Sequence, residues 1–87
     1  MQIIYSKHFI KSYKKLSSLN KEAVNKTLEE FAKDPQNLIL RNHALKGLKK
    51  NVRSIDVKFD LRILFCEEEG LLKMIMLDVG THSQLYG

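Results

Sequence analysis

The sequence predicts an α+β fold in which one strand and a two-helix hairpin precede an antiparallel meander of three strands. Between residues 7 and 33, apolar side chains recur at three- and four-residue spacing, as in amphipathic helices. Between residues 52 and 79 they instead alternate or form a continuous run, as in strands. We therefore expect the helices to cover one face of the sheet. At 87 residues the chain suits a single domain over residues 1–87.

The first elements are a short strand and a helix. Residues 2–5, "QIIY", form the strand, which we expect at an edge of the sheet. Ser6 is a suitable N-cap for the helix that follows, because its hydroxyl can accept a hydrogen bond from a free backbone N–H. The apolar stripe of this helix contains Phe9, Tyr13 and Leu16.

The second helix is predicted from about Lys21 to Lys33, after a cap at Asn20. Pro35 ends it, since the residue before a proline is disfavoured in helical geometry. Its apolar stripe consists of Val24, Leu28 and Phe31.

The remaining chain is predicted as a connecting segment followed by the meander. The segment, residues 36–51, should be mostly irregular and include a short turn of helix. A tight turn at Phe59 and Asp60 joins the first two strands of the meander, and Gly70 supports the second turn. We expect the last strand to stop at Gly80, which would form a corner before the polar ending. The three predicted strands are 52–58, 61–67 and 71–79.

The charge of the chain favours an anionic partner. Its 15 Lys and Arg residues against 10 Asp and Glu residues give a net charge of +5 and a pI of about 9.4. A basic face on a small domain suits a polyanion or an acidic protein, although a lysine-rich surface can also serve solubility alone. The single cysteine, Cys66, fits a reduced compartment. With no secretory signal and no apolar stretch of about 20 residues, we expect a cytoplasmic protein that does not enter a membrane.

Common cofactor and metal motifs are missing from the sequence. It contains no GxxxxGK[ST], GxGxxG or HExxH pattern and no cysteine–histidine metal spacing. We therefore expect neither a cofactor nor a metal. His8 stands among lysines of the first helix and is interpreted as a solvated side chain.

Two residues near the end of the meander suggest phosphate chemistry. Arg62 alternates with the apolar positions of its strand, so it should stand on the open face, where a guanidinium can bind a phosphate or pair with Asp56 or Asp60. His82 follows the last strand, and histidine exchanges protons near neutral pH. Together they suit metal-independent RNA cleavage, in which the 2′-OH attacks its own phosphodiester. Tyr86 could stack on a base or anchor the C-terminus.

The segments "NHALKG", "VRSIDVKFDLRILF" and "VGTHSQLYG" carry a resemblance to a known family. The chain resembles the RelE/ParE superfamily of toxin–antitoxin toxins, and most closely the YafQ-like branch of ribosome-dependent mRNA interferases. The ending G-T-H-S-x-L-[FY] is the most specific part of the match. The resemblance implies a RelE-like fold and a type II toxin that cleaves mRNA in the ribosomal A site.

The resemblance also implies roles for individual residues. His82 matches the principal catalytic histidine, Asp60 the turn aspartate and His43 an upstream histidine. Arg62 matches a strand arginine that stabilises the cleaved phosphate, and the proton acceptor remains either Asp60 or His43. The candidate RNA-binding residues are Lys46, Lys49, Lys50, Arg53, Asp56 and Tyr86.

The match has two departures. Asp56 stands where the branch has a further histidine, and Leu61 replaces the aromatic that commonly follows Asp60. The first change exchanges a potential cation for a carboxylate, and the second alters the surface available for base stacking.

The resemblance implies several partners, and two alternative functions remain open. Toxins of this type are neutralised by a cognate antitoxin, usually acidic, and bind operator DNA only through the antitoxin complex. The ribosome and mRNA would be the targets. Alternatives are a ParE-like inhibitor of DNA gyrase, a branch that generally lacks the GTHS-type ending, and a non-catalytic RNA-binding module.

Overall fold

The computed structural model describes residues 1–45, 51–70 and 72–86, which form an α+β structure, as predicted. The predicted RNA contacts Lys46, Lys49 and Lys50 lie outside the described residues. In chain order the elements are β1 (Gln2–Tyr5), α1 (Lys7–Lys14), α2 (Ser18–Lys33), a 3-10 helix (Leu38–Leu40), β2 (His43–Ala44), β3 (Val52–Lys58), β4 (Leu61–Glu68), β5 (Lys73–Thr81) and α3 (His82–Tyr86).

The five strands form one sheet in the order β1-β5-β4-β3-β2. β1 pairs in parallel with β5, and the other neighbours are antiparallel. β1 therefore lies at an edge, as expected, and the long strands β4 and β5 occupy the interior of the sheet. Glu69 and Gly70 both have positive φ angles in the turn before β5, which agrees with the predicted role of Gly70.

Serine hydroxyls begin both long helices. The Ser6 hydroxyl accepts a hydrogen bond from the Phe9 N–H at 3.0 Å, which confirms the predicted cap of α1. The predicted start of α2 was wrong, because Ser17 and not Asn20 is the cap: its hydroxyl accepts from the Asn20 N–H at 3.2 Å. The pair Ser17-Ser18 therefore starts the second helix instead of only ending the first.

Two features of the second half differ from the prediction. β2 was missed because it has only two residues and exists through its pairing with β3, which no local pattern signals. The expected corner at Gly80 was also wrong. Gly80 lies within β5 opposite Arg62, and the chain turns one residue later, between Thr81 and His82.

The helices pack on one face of the sheet, as predicted. Phe9, Val24 and Phe31 join the inward-facing strand residues in one buried cluster. The rings of Phe31 and Phe65 meet edge to face at 4.9 Å between centroids. Leu64 is also buried but stands outside this cluster, since it alternates with Ile63 and Phe65. The face that carries Leu64 also carries Arg62, away from the helices. None of the helices within residues 1–45, 51–70 and 72–86 is long and apolar enough to cross a membrane.

Candidate active site

The sequence "THSQ" forms a capping box that starts α3 directly at the end of β5. The Gln84 N–H donates to the Thr81 hydroxyl at 3.3 Å, and the Thr81 N–H donates to Gln84 Oε1 at 2.9 Å. Gly80 makes room for this arrangement, because a Cβ atom there would lie 2.8 Å from Gln84 Oε1. His82 is consequently held as the first residue of the helix.

Asp60 fixes the backbone of His82 from the neighbouring turn. Its Oδ1 accepts a hydrogen bond from the His82 N–H at 3.3 Å, so the β3–β4 turn and the start of α3 are in contact. A carboxylate at this position also interacts favourably with the unpaired N–H groups at the start of a helix. The two residues that the sequence singled out are therefore neighbours.

Arg62 lies beside this pair. It is directly opposite Gly80 in the β4–β5 ladder, so it is two residues from Asp60 in the turn before β4, and its partner Gly80 is two residues from His82 at the start of α3. Two residues span about 7 Å along a strand. The structure thus brings Asp60, Arg62 and His82 together at one end of β4 and β5.

Asp56 lies on the other side of Arg62 and is shared by two arginines. Its Oδ2 is 3.2 Å from Arg41 Nη1, and its Oδ1 is 3.7 Å from Arg62 Nε. That Nε is buried and has no hydrogen-bond partner among the described parts of the chain. Asp56 therefore orients Arg62 by charge and holds the exposed Arg41 next to it.

His43 does not join the cluster around His82. His43 lies on β2, where it pairs with Ser54 of β3, and β2 is three strands away from β5. Followed across the sheet, its position corresponds to Asp78 of β5, four residues before His82. Those offsets separate the backbones of His43 and His82 by roughly 20 Å. The His43 Nδ1 is 2.6 Å from the Arg41 carbonyl oxygen and must donate to it, which leaves Nε2 as the acceptor in the neutral ring.

The two remaining candidates within the described residues have different surroundings. The Tyr86 ring meets the His82 ring edge to face at 4.7 Å between centroids and is partly exposed. Tyr86 thus packs against His82 and retains free surface. Arg53 is directly opposite Phe65, on the face covered by the helices, and its Nε donates to Asn42 Oδ1 at 2.8 Å. The structure places it away from Arg62.

Two residues of the site were missed by reasoning from the sequence. Gln84 had a readable signal, because a threonine followed three positions later by glutamine is the pattern of a capping box. Arg41 had none, since its place depends on a left-handed backbone conformation with φ of 48°. Within residues 1–45, 51–70 and 72–86, no group of three His, Cys, Asp or Glu side chains is placed to hold a metal.

Comparison with solved structures shows the same fold in bacterial toxins. A copper-bound mutant toxin from Helicobacter pylori is 29% identical, with a TM-score of 0.77 over 99% of both chains. A chain of the E. coli DinJ–YafQ complex is 26% identical, with a TM-score of 0.70 over 99% of this chain and 98% of that one. The YoeB/ParE toxin from Agrobacterium tumefaciens has a TM-score of 0.78 over 94% of this chain and 99% of that one; at 13% identity it shows the fold alone.

The comparison of sequences identifies the family. No curated protein sequence matches the chain. The family model described as the YafQ bacterial toxin of type II toxin–antitoxin systems matches residues 1–87, the whole chain. The chain therefore belongs to the YafQ family of type II toxin–antitoxin toxins.

Proposed function

We propose that this toxin is an endoribonuclease that cleaves mRNA on the ribosome and so inhibits translation. The observation that carries the proposal is the meeting of Asp60, Arg62 and His82 at one end of β4 and β5. A carboxylate, a guanidinium and an imidazole are the groups that cleavage by a 2′-OH requires: a proton acceptor, a charge stabiliser and a proton donor.

Asp60 is the proposed general base. Its Oδ1 is engaged by the His82 N–H, and the carboxylate has a second oxygen that can accept the proton of the 2′-OH. His43 is the alternative that the sequence leaves open, and its Nε2 is an available acceptor. The separation of roughly 20 Å between its backbone and that of His82 favours Asp60, because base and acid must act on one phosphodiester.

Arg62 and His82 complete the proposed reaction. The 2′-oxygen attacks the phosphorus while the bond to the 5′-oxygen breaks, and His82 donates a proton to that leaving oxygen. The products are a 2′,3′-cyclic phosphate and a 5′-hydroxyl. Arg62 stabilises the negative charge that develops on the phosphoryl oxygens, which a guanidinium does well because its donors are fixed in a plane.

The proposed RNA contacts extend from this cluster over the basic surface. Tyr86 has free ring area for stacking on a base next to the cleaved bond. The net charge of +5 favours association with ribosomal RNA and mRNA in the cytoplasm. The further RNA-binding residues proposed from the sequence are Lys46, Lys49, Lys50, Arg53 and Asp56. Asp56 would contribute indirectly, through the two arginines that it contacts.

A cognate antitoxin is the proposed protein partner. The E. coli relative was solved in the DinJ–YafQ complex, and membership of a type II family supports the same kind of pairing here. An acidic antitoxin would complement the positive charge of this chain. Binding to operator DNA is proposed only for the complex with the antitoxin.

The experiment is induced expression in cells that lack the antitoxin, followed by primer extension on a reporter transcript. The proposal predicts growth arrest and new transcript ends that appear within the translated region. A matched reporter without a start codon should remain intact, because cleavage depends on translation. Growth arrest with DNA damage and an intact transcript would contradict the proposal and favour inhibition of gyrase.

A further inference from the structure

Arg41 contacts both His43 and Asp56 from an unusual backbone conformation. Its φ of 48° lies in the left-handed region, which is costly for a side chain other than glycine or asparagine. This conformation directs the Arg41 carbonyl to His43 Nδ1 at 2.6 Å while the side chain reaches Asp56. A strained residue that makes two such contacts suggests a functional requirement for its placement.

The carboxylate of Asp56 is divided unequally between the two arginines. It is 3.2 Å from Arg41 Nη1 but 3.7 Å from Arg62 Nε, which is too far for a hydrogen bond. One negative charge therefore faces two positive charges, and the three side chains together have a net charge of +1. Such a cluster attracts a further anion.

The exposure of Arg41 indicates where that anion would bind. Its side chain is 73% exposed, against 28% for Arg62. The contact with Asp56 uses Nη1, and a guanidinium has five N–H donors in all. Arg41 can thus keep Asp56 and still present donors to a ligand in solvent.

We propose that Arg41 binds a phosphate of the RNA backbone next to the phosphate bound by Arg62. Asp56 is a positioning residue that spaces the two guanidinium groups. The proposal rests on the substrate class of the proposed function and extends its site across β3 towards β2. It requires no movement of the backbone, because both arginines are already held by the same carboxylate.

The experiment measures the affinity of the purified toxin for a single-stranded RNA whose 2′-oxygens are methylated, so that it cannot be cleaved. Fluorescence anisotropy is recorded over a series of salt concentrations. Arg41→Gly preserves the left-handed backbone and the carbonyl that contacts His43 but removes the guanidinium. We expect its affinity to fall about tenfold and the slope of log K against log salt to decrease in magnitude by about 0.7.

Two further variants make the result specific. Lys73→Gln removes a positive charge that is also paired, 3.3 Å from Glu69, but lies at the opposite end of β5 from His82. We expect it to keep the slope of the wild type. Arg41→Lys retains a positive charge without the planar donors, and we expect it to keep the slope while losing part of the affinity.

Two results would overturn the inference: Arg41→Gly behaving like Lys73→Gln, or a wild-type toxin that does not bind the RNA. Neither depends on cleavage, so the inference and the proposed function can fail separately. A toxin that cleaves transcripts in cells while Arg41→Gly binds normally would keep the function and remove Arg41 from the site.

Discussion

His82 is positioned by its backbone and by one neighbouring ring. Asp60 accepts a hydrogen bond from its N–H, and Tyr86 packs against its imidazole from one helical turn away. These contacts leave the imidazole exposed to solvent, where a large substrate can reach it. A site built in this way suits a polymer such as RNA better than a small molecule that needs an enclosed pocket.

Asp60→Asn separates the contact of Asp60 with the His82 N–H from its proposed role as general base. The amide oxygen can still accept from the His82 N–H, so we expect stability to change by less than about 1 kcal/mol in urea unfolding. Cleavage in a translation reaction should fall by a factor of about 100 or more, because an amide cannot take the proton of the 2′-OH. Near-normal cleavage by Asp60→Asn would show that Asp60 only positions α3 and would return His43 as the base.

Cys66 is expected to be an unreactive thiol. Burial raises the pKa of Cys66, and the nearby carboxylate of Glu68 raises it further. Because a raised pKa keeps the thiol protonated, the nucleophilic thiolate is scarcer than in a free cysteine at any pH below that value. We expect iodoacetamide to modify Cys66 more slowly at pH 8 than it modifies a cysteine peptide, as measured by mass spectrometry. Equal rates would contradict the buried setting.

Helix α3 depends on its capping box and on β5. Its five residues are too few for a helix to persist alone in water. The reciprocal bonds of Thr81 and Gln84 supply the missing stability, and Gly80 leaves space for the glutamine side chain. The position of the candidate acid therefore rests on three small local features of the sequence.

Replacing Gln84 tests this dependence. Gln84→Ala removes the acceptor for the Thr81 N–H and should destabilise the protein by about 1 kcal/mol, measured by urea unfolding. Cleavage should fall as well, since His82 loses its fixed place. Gln84→Glu is the matched control: a glutamate can close the same box, so we expect it to keep both properties. A cleavage rate for Gln84→Ala equal to that of the control would show that the box does not position His82.

The elements with a strong local signal could be predicted, and those made by pairing could not. The apolar stripe of α1 and the alternating apolar residues of β3 and β4 predict where these elements lie, because the spacing of apolar residues agrees there with the pattern of burial. β2 has no pattern of its own and forms where the chain meets β3. In the site, Asp60, Arg62 and His82 could be joined from strand register and the family resemblance. Arg41 could not, since its conformation follows from tertiary contacts.

At the scale of the whole molecule, the core and the candidate site use opposite faces of one sheet. The helices cover the face with Phe65, on which Phe31 of α2 packs, and Arg62 projects from the other face. Stability and the proposed activity therefore depend on different side chains of the same strands. The candidate site thus uses strand positions that the helix-covered core does not need, although Leu64 on the same face as Arg62 is buried as well.

Phe31→Ala tests whether the buried cluster on the helix-covered face determines the stability of the protein. Phe31 is fully buried, so we expect a loss of about 3–5 kcal/mol, measured by thermal and urea unfolding. Toxicity should disappear together with the folded protein. Leu38→Ala is the control: Leu38 is 91% exposed, and its removal should change stability by no more than about 0.5 kcal/mol. A stable, folded Phe31→Ala variant would contradict the described core.

In the proposed reaction, His82 at the junction of β5 and α3 provides the proton for RNA cleavage. The most direct measurement is primer extension on an mRNA in a purified translation system, comparing the wild type with His82→Ala at equal concentration. His82 is exposed, so the variant should unfold at nearly the same urea concentration as the wild type. We predict that its cleavage rate falls by a factor of about 100 or more. Cleavage by a folded His82→Ala variant at the wild-type rate would exclude His82 as the proton donor.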